Sequence, residues 1–212
     1  MIIAMDGPAA AGKGTLSRRI SQHFGFDHLD TGALYRATAR NLIENNKDPS
    51  DSDAAIKAAV SINACDLADP ALRSENVGRL ASIVSAYPKV RSILLDYQRS
   101  FAKNPPGGQG AIIEGRDIGT VVCPNADLKI YVDASLEVRV TRRCEELKKR
   151  GGSCSSEEIR AEMVKRDGRD RTRIDSPLLV ASDAYLLDTT ELDIEETFSA
   201  ACLLVDRLTA EL

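Results

Sequence analysis

Short apolar runs alternate along the chain with longer stretches of helical spacing. Ile2, Ile3, Ala4 and Met5 break into a Gly-rich turn, after which Leu16, Ile20 and Phe24 recur at helical intervals. That predicts strand, loop, helix at the start, with a second strand ending near Asp30. Helices are expected over 33–44, 54–64, 75–86 and 89–101. The last carries Val90, Ile93, Leu94, Tyr97 and Phe101 on one stripe, with Pro88 at the break before it. The run NPPGGQG at 104–110 interrupts the helices. Strands follow at 111–114, from Leu128 and at 184–187. Helices are expected over 136–150, from a cap signal near Ser155 and over 195–208. About five short apolar strands alternating with helices predict an α/β fold with a three-layer parallel sheet, in which ligands sit at the carboxyl ends of the strands.

Composition narrows the class. With 212 residues, 43% hydrophobic and 28% charged, the chain has the make-up of a soluble globular protein with a sizeable core. No segment approaches the roughly 20 apolar residues of a membrane span, and no signal peptide is indicated. With no Trp, five Tyr and four Phe, a stacking platform for single-stranded nucleic acid has little to be built from. The cysteines, Cys65, Cys123, Cys144, Cys154 and Cys202, are odd in number and contain no C-x-x-C pair. This favours reduced thiols in a cytosolic setting, packed as small apolar side chains. His23 and His28, the only histidines, read as structural or surface groups.

A net charge of −4 argues against a surface that coats nucleic acid, but the charge is unevenly placed. Residues 139–173 hold nine Arg and three Lys against seven acidic residues, a local +5 that leaves −9 elsewhere. Arg166, Arg169, Asp170 and Arg173 stand at helical spacing on one face. A solvated, salt-bridged helix has this composition, and so does a lid that neutralises phosphoryl charge.

The first turn tips the balance toward the lid. Gly7, Pro8, Ala9, Ala10, Ala11, Gly12, Lys13, Gly14 and Thr15 match G-x-x-x-x-G-K, with Gly in place of the usual hydroxyl residue and Thr one position later. Such a loop cradles nucleotide phosphates with backbone N–H groups while the lysine reaches the outer ones; the shifted Thr leaves the Mg²⁺ ligand open. Two further strand ends carry chemistry, at 30–36 with Thr31, Tyr35 and Arg36, and at 115–120 with Gly115, Arg116 and Asp117. Arg36 and Arg116 are candidates to hold an acceptor phosphate, and Asp117 to accept from an exocyclic amine. Two arginines and a carboxylate beside a phosphate loop suit a second nucleotide better than a donor-only ATPase. A guanine-reading N-K-x-D is absent; NNKDP at 45–49 is a near miss, which speaks against a nucleotide switch.

The segments DGPAAAGKGT, LDTGALYR, GRDIGTVV, KIYVDAS and KRDGRDRTR together resemble, in the same order, the hallmarks of the bacterial cytidylate kinases of the nucleoside monophosphate kinase group. The resemblance spans almost the whole chain. It implies a P-loop NTPase fold with a helical lid and a small acceptor-binding insertion, and transfer of the γ-phosphoryl group of ATP to CMP or dCMP with Mg²⁺. It also implies a monomer in the cytoplasm. Ser82, Arg91 and Asp117 are then expected around cytosine, Arg36, Arg116 and Arg173 around its phosphate, and Arg166 and Asp170 near the ribose. Lys13, Arg142, Arg143, Arg169 and Arg173 are expected to neutralise the transferred group. The organisation expected is a core of 1–36, 104–138 and 174–212, an acceptor region of 37–103 and a lid of 139–173. The family often has Ser at the place of Thr31 and a small β-containing insertion; residues 46–75 show no convincing strands, so that insertion reads as shortened. Kinases of another small acceptor, such as UMP or shikimate, are the rival within the class.

Overall fold

The computed structural model describes residues 1–63, 66, 67 and 69–210. They fall into two units, Met1–His28 with Ala102–Leu212, and Leu29–Phe101.

The first unit is built on a five-stranded sheet in the order β2-β3-β1-β4-β5, comprising β1 (Ile2–Asp6), β2 (Asp27–Asp30), β3 (Ala111–Glu114), β4 (Leu128–Asp133) and β5 (Tyr185–Asp188). β1 pairs in parallel with β3 and β4, and β4 with β5. β1 lies in the middle, and Ile3, Ala4 and Met5 are fully buried, as continuous apolar runs in a doubly covered parallel sheet must be. α1 (Lys13–Phe24) places Leu16 and Ile20 against the sheet, and α8 (Ile194–Ala210) adds Ala201 and Val205 to the same cluster. Lys129 is the polar exception inside β4: its stem is buried and its Nζ reaches Asp183 Oδ2 at 2.8 Å.

α6 (Leu136–Lys149) and α7 (Ser156–Thr172) form a helical hairpin in the same unit, packed through Val140, Cys144, Ile159 and Met163. Ser135 caps the first helix by accepting from the Val138 amide, and Ser155 caps the second by accepting from the Glu158 amide. The expectation of reduced thiols is corrected here, because Cys144 and Cys154 form a disulfide with Cα atoms 5.4 Å apart. The turn at 150–155 folds Cys154 back over the inner face of α6, a proximity made by chain reversal rather than by a C-x-x-C spacing. Cys123 is a free thiol and buried, Cys202 is free and half-buried, and Cys65 lies outside the described residues.

The second unit is helical. α2 (Thr31–Glu44), α3 (Ser52–Val60), α4 (Glu75–Val84) and α5 (Pro88–Lys103) enclose Leu34, Leu42, Ala55, Val77, Leu80, Val84, Val90 and Leu94, and α5 carries the chain back to the first unit. Asp51 and Ser74 cap α3 and α4. A 3₁₀ turn over Pro70–Arg73 precedes α4, and no strand occurs between 46 and 75 among the described residues. Two boundaries differ from the expected ones. α3 ends at Val60 rather than 64, and the helical unit begins at Leu29 rather than 37, because Leu34 and Tyr35 pack into the same cluster as Leu42 and the residues of α4.

Alkylation of the denatured, unreduced protein should leave Cys144 and Cys154 unlabelled, with both labelled after reduction. Mass spectrometry of tryptic peptides reads the result, and free Cys154 before reduction would exclude the bridge.

Candidate active site

The loop that leaves β1 is shaped by close backbone approaches. Gly7 sits at φ +142°, and a Cβ there would lie 1.9 Å from the Val132 carbonyl oxygen on β4, so no side chain fits. Gly12 starts α1 in the left-handed region, its carbonyl accepting from the amides of Thr15 and Leu16. Arg139 donates to the Ala9 carbonyl at 3.3 Å and is paired with Asp167 at 2.7 Å. Thr189 Oγ1 donates to the Ala11 carbonyl at 3.2 Å. The loop is thus braced from α6 and from the chain end beyond β5, leaving the α1 N-terminus to face an anion.

Lys13 is buried, and its Nζ donates to the Pro8 carbonyl at 2.7 Å. Burial, with Arg116 and Arg166 nearby, pulls its pKa down to about 7, against the opposing pull of Glu114 and Asp6. The ammonium therefore lacks the counter-charge that a polyphosphate supplies. Gly14 faces Glu114: a Cβ at Gly14 would stand 3.3 Å from Glu114 Oε1 and 3.6 Å from Oε2. A carboxylate thus lies next to the position where the general motif carries its metal-binding hydroxyl, and Thr15 is exposed one residue on. His28 Nε2 is 3.3 Å from Glu114 Oε2, and His23 packs edge-on against Phe24 and Phe198, so both histidines fill structural places. Among the described residues no group of three or more His, Cys, Asp or Glu forms a metal cage. One carboxylate beside a phosphate loop still fits Mg²⁺, which takes one or two carboxylates together with phosphate oxygens and water.

The strand end after β3 meets the lid hairpin. The Gly115 amide donates to the Met5 carbonyl at 2.9 Å, and Arg116 Nε donates to Asp170 Oδ2 at 3.0 Å. Arg173, at the end of α7, lies 3.5 Å from Asp117 Oδ1 and 3.9 Å from Asp170 Oδ1, and its Nε donates to the Ser176 carbonyl. Burial opposes the ionisation of Asp170, but Arg116, Arg166 and Arg173 outweigh it and hold the carboxyl below its ordinary range. Arg116, Asp117, Asp170 and Arg173 are therefore brought together. Arg166 is half-buried on the same helix. Arg169 has a buried Nε with no hydrogen-bond partner among the described residues.

Two expected lid cations are engaged elsewhere. Arg142 donates to Thr189 Oγ1 at 2.9 Å, the Thr189 carbonyl at 2.7 Å and the Leu192 carbonyl at 3.4 Å; Arg143 pairs with Glu146 at 2.7 Å along α6. Arg139 and Thr189, which hold the loop, were not singled out by sequence. Arg139 was visible only as one of nine arginines, and Thr189 carried no signal.

In the helical unit, Thr31 is buried at the start of α2, and Arg36 is paired with Asp30. The Arg91 guanidinium lies 5.5 Å from the Tyr35 ring centroid and donates to the Ser85 carbonyl at 3.4 Å. Ser82 Oγ on α4 is buried with no partner among the described residues, an arrangement that favours a bound polar group.

Comparison with known proteins follows the same line. The cytidylate kinase family profile matches residues 3–206. A cytidylate kinase of Methylocella silvestris is 52% identical over 206 residues, covering 97% of this chain and 94% of its own length. A second, from Rhodopseudomonas palustris strain BisB18, is 49% identical over 210 residues, covering 99% and 98%. Among solved structures, a Thermus thermophilus protein has a TM-score of 0.51 at 20% identity, covering 100% of this chain and 97% of its own. A sugar kinase from a Janibacter species also scores 0.51, at 13% identity over 97% and 94%. At those identities the likeness is one of fold alone. With a braced phosphate loop, a buried lysine beside it and near-full-length relatives at about half identity, the chain belongs to the cytidylate kinase family.

Proposed function

We propose that the chain transfers the γ-phosphoryl group of ATP to CMP, and also to dCMP, giving ADP and CDP or dCDP. The observation that carries this reading is the cluster of Arg116, Asp117, Asp170 and Arg173, two half-buried guanidiniums beside two buried carboxylates, in the same unit as Lys13 and its loop. A donor-only ATPase has no use for such a second cluster of guanidiniums.

The donor phosphates lie on the N–H groups of 7–15, and Lys13 takes up the charge of the outer ones. Mg²⁺, when bound with the nucleotide, neutralises phosphate oxygens; Glu114 and Thr15 are the groups that would hold it, through water. Arg36, Arg116 and Arg173 are the candidates to hold the acceptor phosphate. They exchange their present carboxylate partners for phosphate oxygens, to which planar guanidinium is well matched. Asp117 accepts from the cytosine amine, Ser82 and Arg91 read the ring's acceptors, and Arg166 and Asp170 lie toward the ribose. Thr31, Tyr35 and Gly115 line the acceptor's place. Arg169, with its buried unpartnered Nε, completes charge neutralisation; Arg142 and Arg143 join it only by leaving their present partners. No general base is needed, since the phosphate of CMP is already an anionic nucleophile, and catalysis is by positioning and charge. The protein is proposed to act as a monomer on free nucleotides rather than on nucleic acid.

Two measurements test the reading. In an acceptor screen with ATP and Mg²⁺, CMP and dCMP should support ADP formation far above UMP, AMP or shikimate. Asp117→Ala should cut kcat/KM for CMP by about 10- to 100-fold, the cost of losing a charged hydrogen bond, and that for AMP far less. Equal loss on both acceptors would remove Asp117 from base reading. For the donor, Lys13 is mostly neutral at pH 8 in the free enzyme and charged beside phosphates. ATP binding at pH 8 should then take up most of one proton, at most about 0.9 for a group whose free pKa is about 7. Calorimetry in buffers of differing ionisation enthalpy reads this, and Lys13→Met should abolish it; no uptake in the wild type would contradict the assignment.

A further inference from the structure

Asp6, the last residue of β1, takes no part in the chemistry described so far, yet it is buried at 5% exposure where two loops diverge. The β1–β3 ladder runs to the pair Met5 and Glu114 and closes with the Gly115 amide on the Met5 carbonyl. Beyond that point the backbones separate, one into the phosphate loop at Gly7 and the other into 115–117. The Asp6 side chain continues the pairing. Oδ1 accepts the Ile118 amide at 2.8 Å, and Oδ2 accepts the Gly119 amide at 2.7 Å. Those amides open the π turn Ile118–Val122, immediately after Arg116 and Asp117. The turn packs closely on β4: a Cβ at Gly119 would lie 3.1 Å from Lys129 Cδ and 3.4 Å from Asp6 Oδ2.

We propose that Asp6 is a positioning residue that registers the acceptor-binding loop against the phosphate loop, one carboxylate setting the spacing between Arg116–Asp117 and the strand end that launches Lys13. This rests on the nucleotide kinase reading above and goes beyond it by naming what holds the two halves of the reaction in register. With both oxygens on amides, Asp6 contacts neither donor nor acceptor; its effect passes through backbone. Only the ionised carboxylate accepts both amides, since a protonated oxygen becomes a donor. Burial, partly offset by the Gly119 and Ile118 amides, raises its pKa to about 6. The charged or titratable groups around it are Asp117 on the turn, Lys13 on α1, Tyr131 beside it on β4, and Lys129, whose Nζ is turned to Asp183.

Asp6→Asn keeps the shape and one acceptor while turning an amide donor toward one N–H. At saturating ATP, where phosphate holds Lys13 charged, kcat/KM for CMP should fall about 10- to 100-fold above pH 7, while KM for ATP changes less than twofold. The wild-type to variant ratio cancels the titration of CMP itself. It should collapse toward one as pH falls through 6 to 5, because wild-type Asp6 becomes protonated. Equal losses on ATP and CMP, or a ratio independent of pH, would overturn the proposal. Gly119→Ala, which leaves the carboxylate in place but displaces its amide, should also lose CMP more than ATP efficiency. If Asp6→Asn does not fold, amide exchange in the wild type decides: protection at 118 and 119 should drop selectively between pH 7 and 5 after correction for intrinsic rates. Uniform protection there counts against the idea. Whether the wild type phosphorylates CMP at all is read independently, so failure of the kinase reading and failure of this one are told apart.

Discussion

Arginine side chains drawn out of water need counter-ions, because a desolvated charge left unpaired is costly. In this chain the need is met by carboxylates. Arg116 rests on Asp170, Arg173 lies between Asp117 and Asp170, and Arg139 is paired with Asp167. Two of those carboxylates, Asp167 and Asp170, sit on α7 and Arg173 lies at its end, so the ion pairs that keep the cations also tie the α6–α7 hairpin to the strand end after β3. Lys13 is the contrasting case: its ammonium donates to the Pro8 carbonyl, and burial lowers its basicity.

The concentration of +5 in 139–173 takes on a structural meaning in this light. Part of it is internal to the hairpin, as in Arg143 with Glu146 and Arg160 with Glu137. Exposed pairs of that kind contribute little to stability. Another part is directed at backbone, Arg142 toward Thr189 and Leu192, and Arg139 toward Ala134 and Ala9. Arg166, Arg169 and Arg173 lie in the C-terminal half of α7 and at its end, apart from the contacts just named. A count of charges therefore says little about how many of them face a ligand.

Legibility followed distance along the chain. The phosphate loop could be read because its demands are local: Gly7 and Gly12 are needed where the backbone turns, and the strand and helix that flank it announce themselves by spacing. The three-layer sheet was legible for the same reason, and so was the lack of strands around α3 among the described residues. The present partners of Arg142 could not be read because they lie about 50 residues away, and the hydrogen bonds of Asp6 go to amides 112 and 113 residues on. The Cys144–Cys154 bridge was missed for a related reason: ten residues is a short separation, but only the reversal between α6 and α7 makes it a contact. Family resemblance supplied Ser82 and Arg91, which no spacing would have picked from helical sequence; the buried Oγ of Ser82 gives that choice a physical ground.

The bridge between α6 and α7 closes a covalent ring over residues 144–154, while Arg142 and Arg139 tie α6 to the chain beyond β5 and to the phosphate loop. It is a second, covalent link between two helices that already share the apolar cluster of Val140, Cys144, Ile159 and Met163. Reduction would therefore leave the hairpin's apolar contacts and every cation in place, and the ring's effect falls on the unfolded chain, whose freedom it restricts.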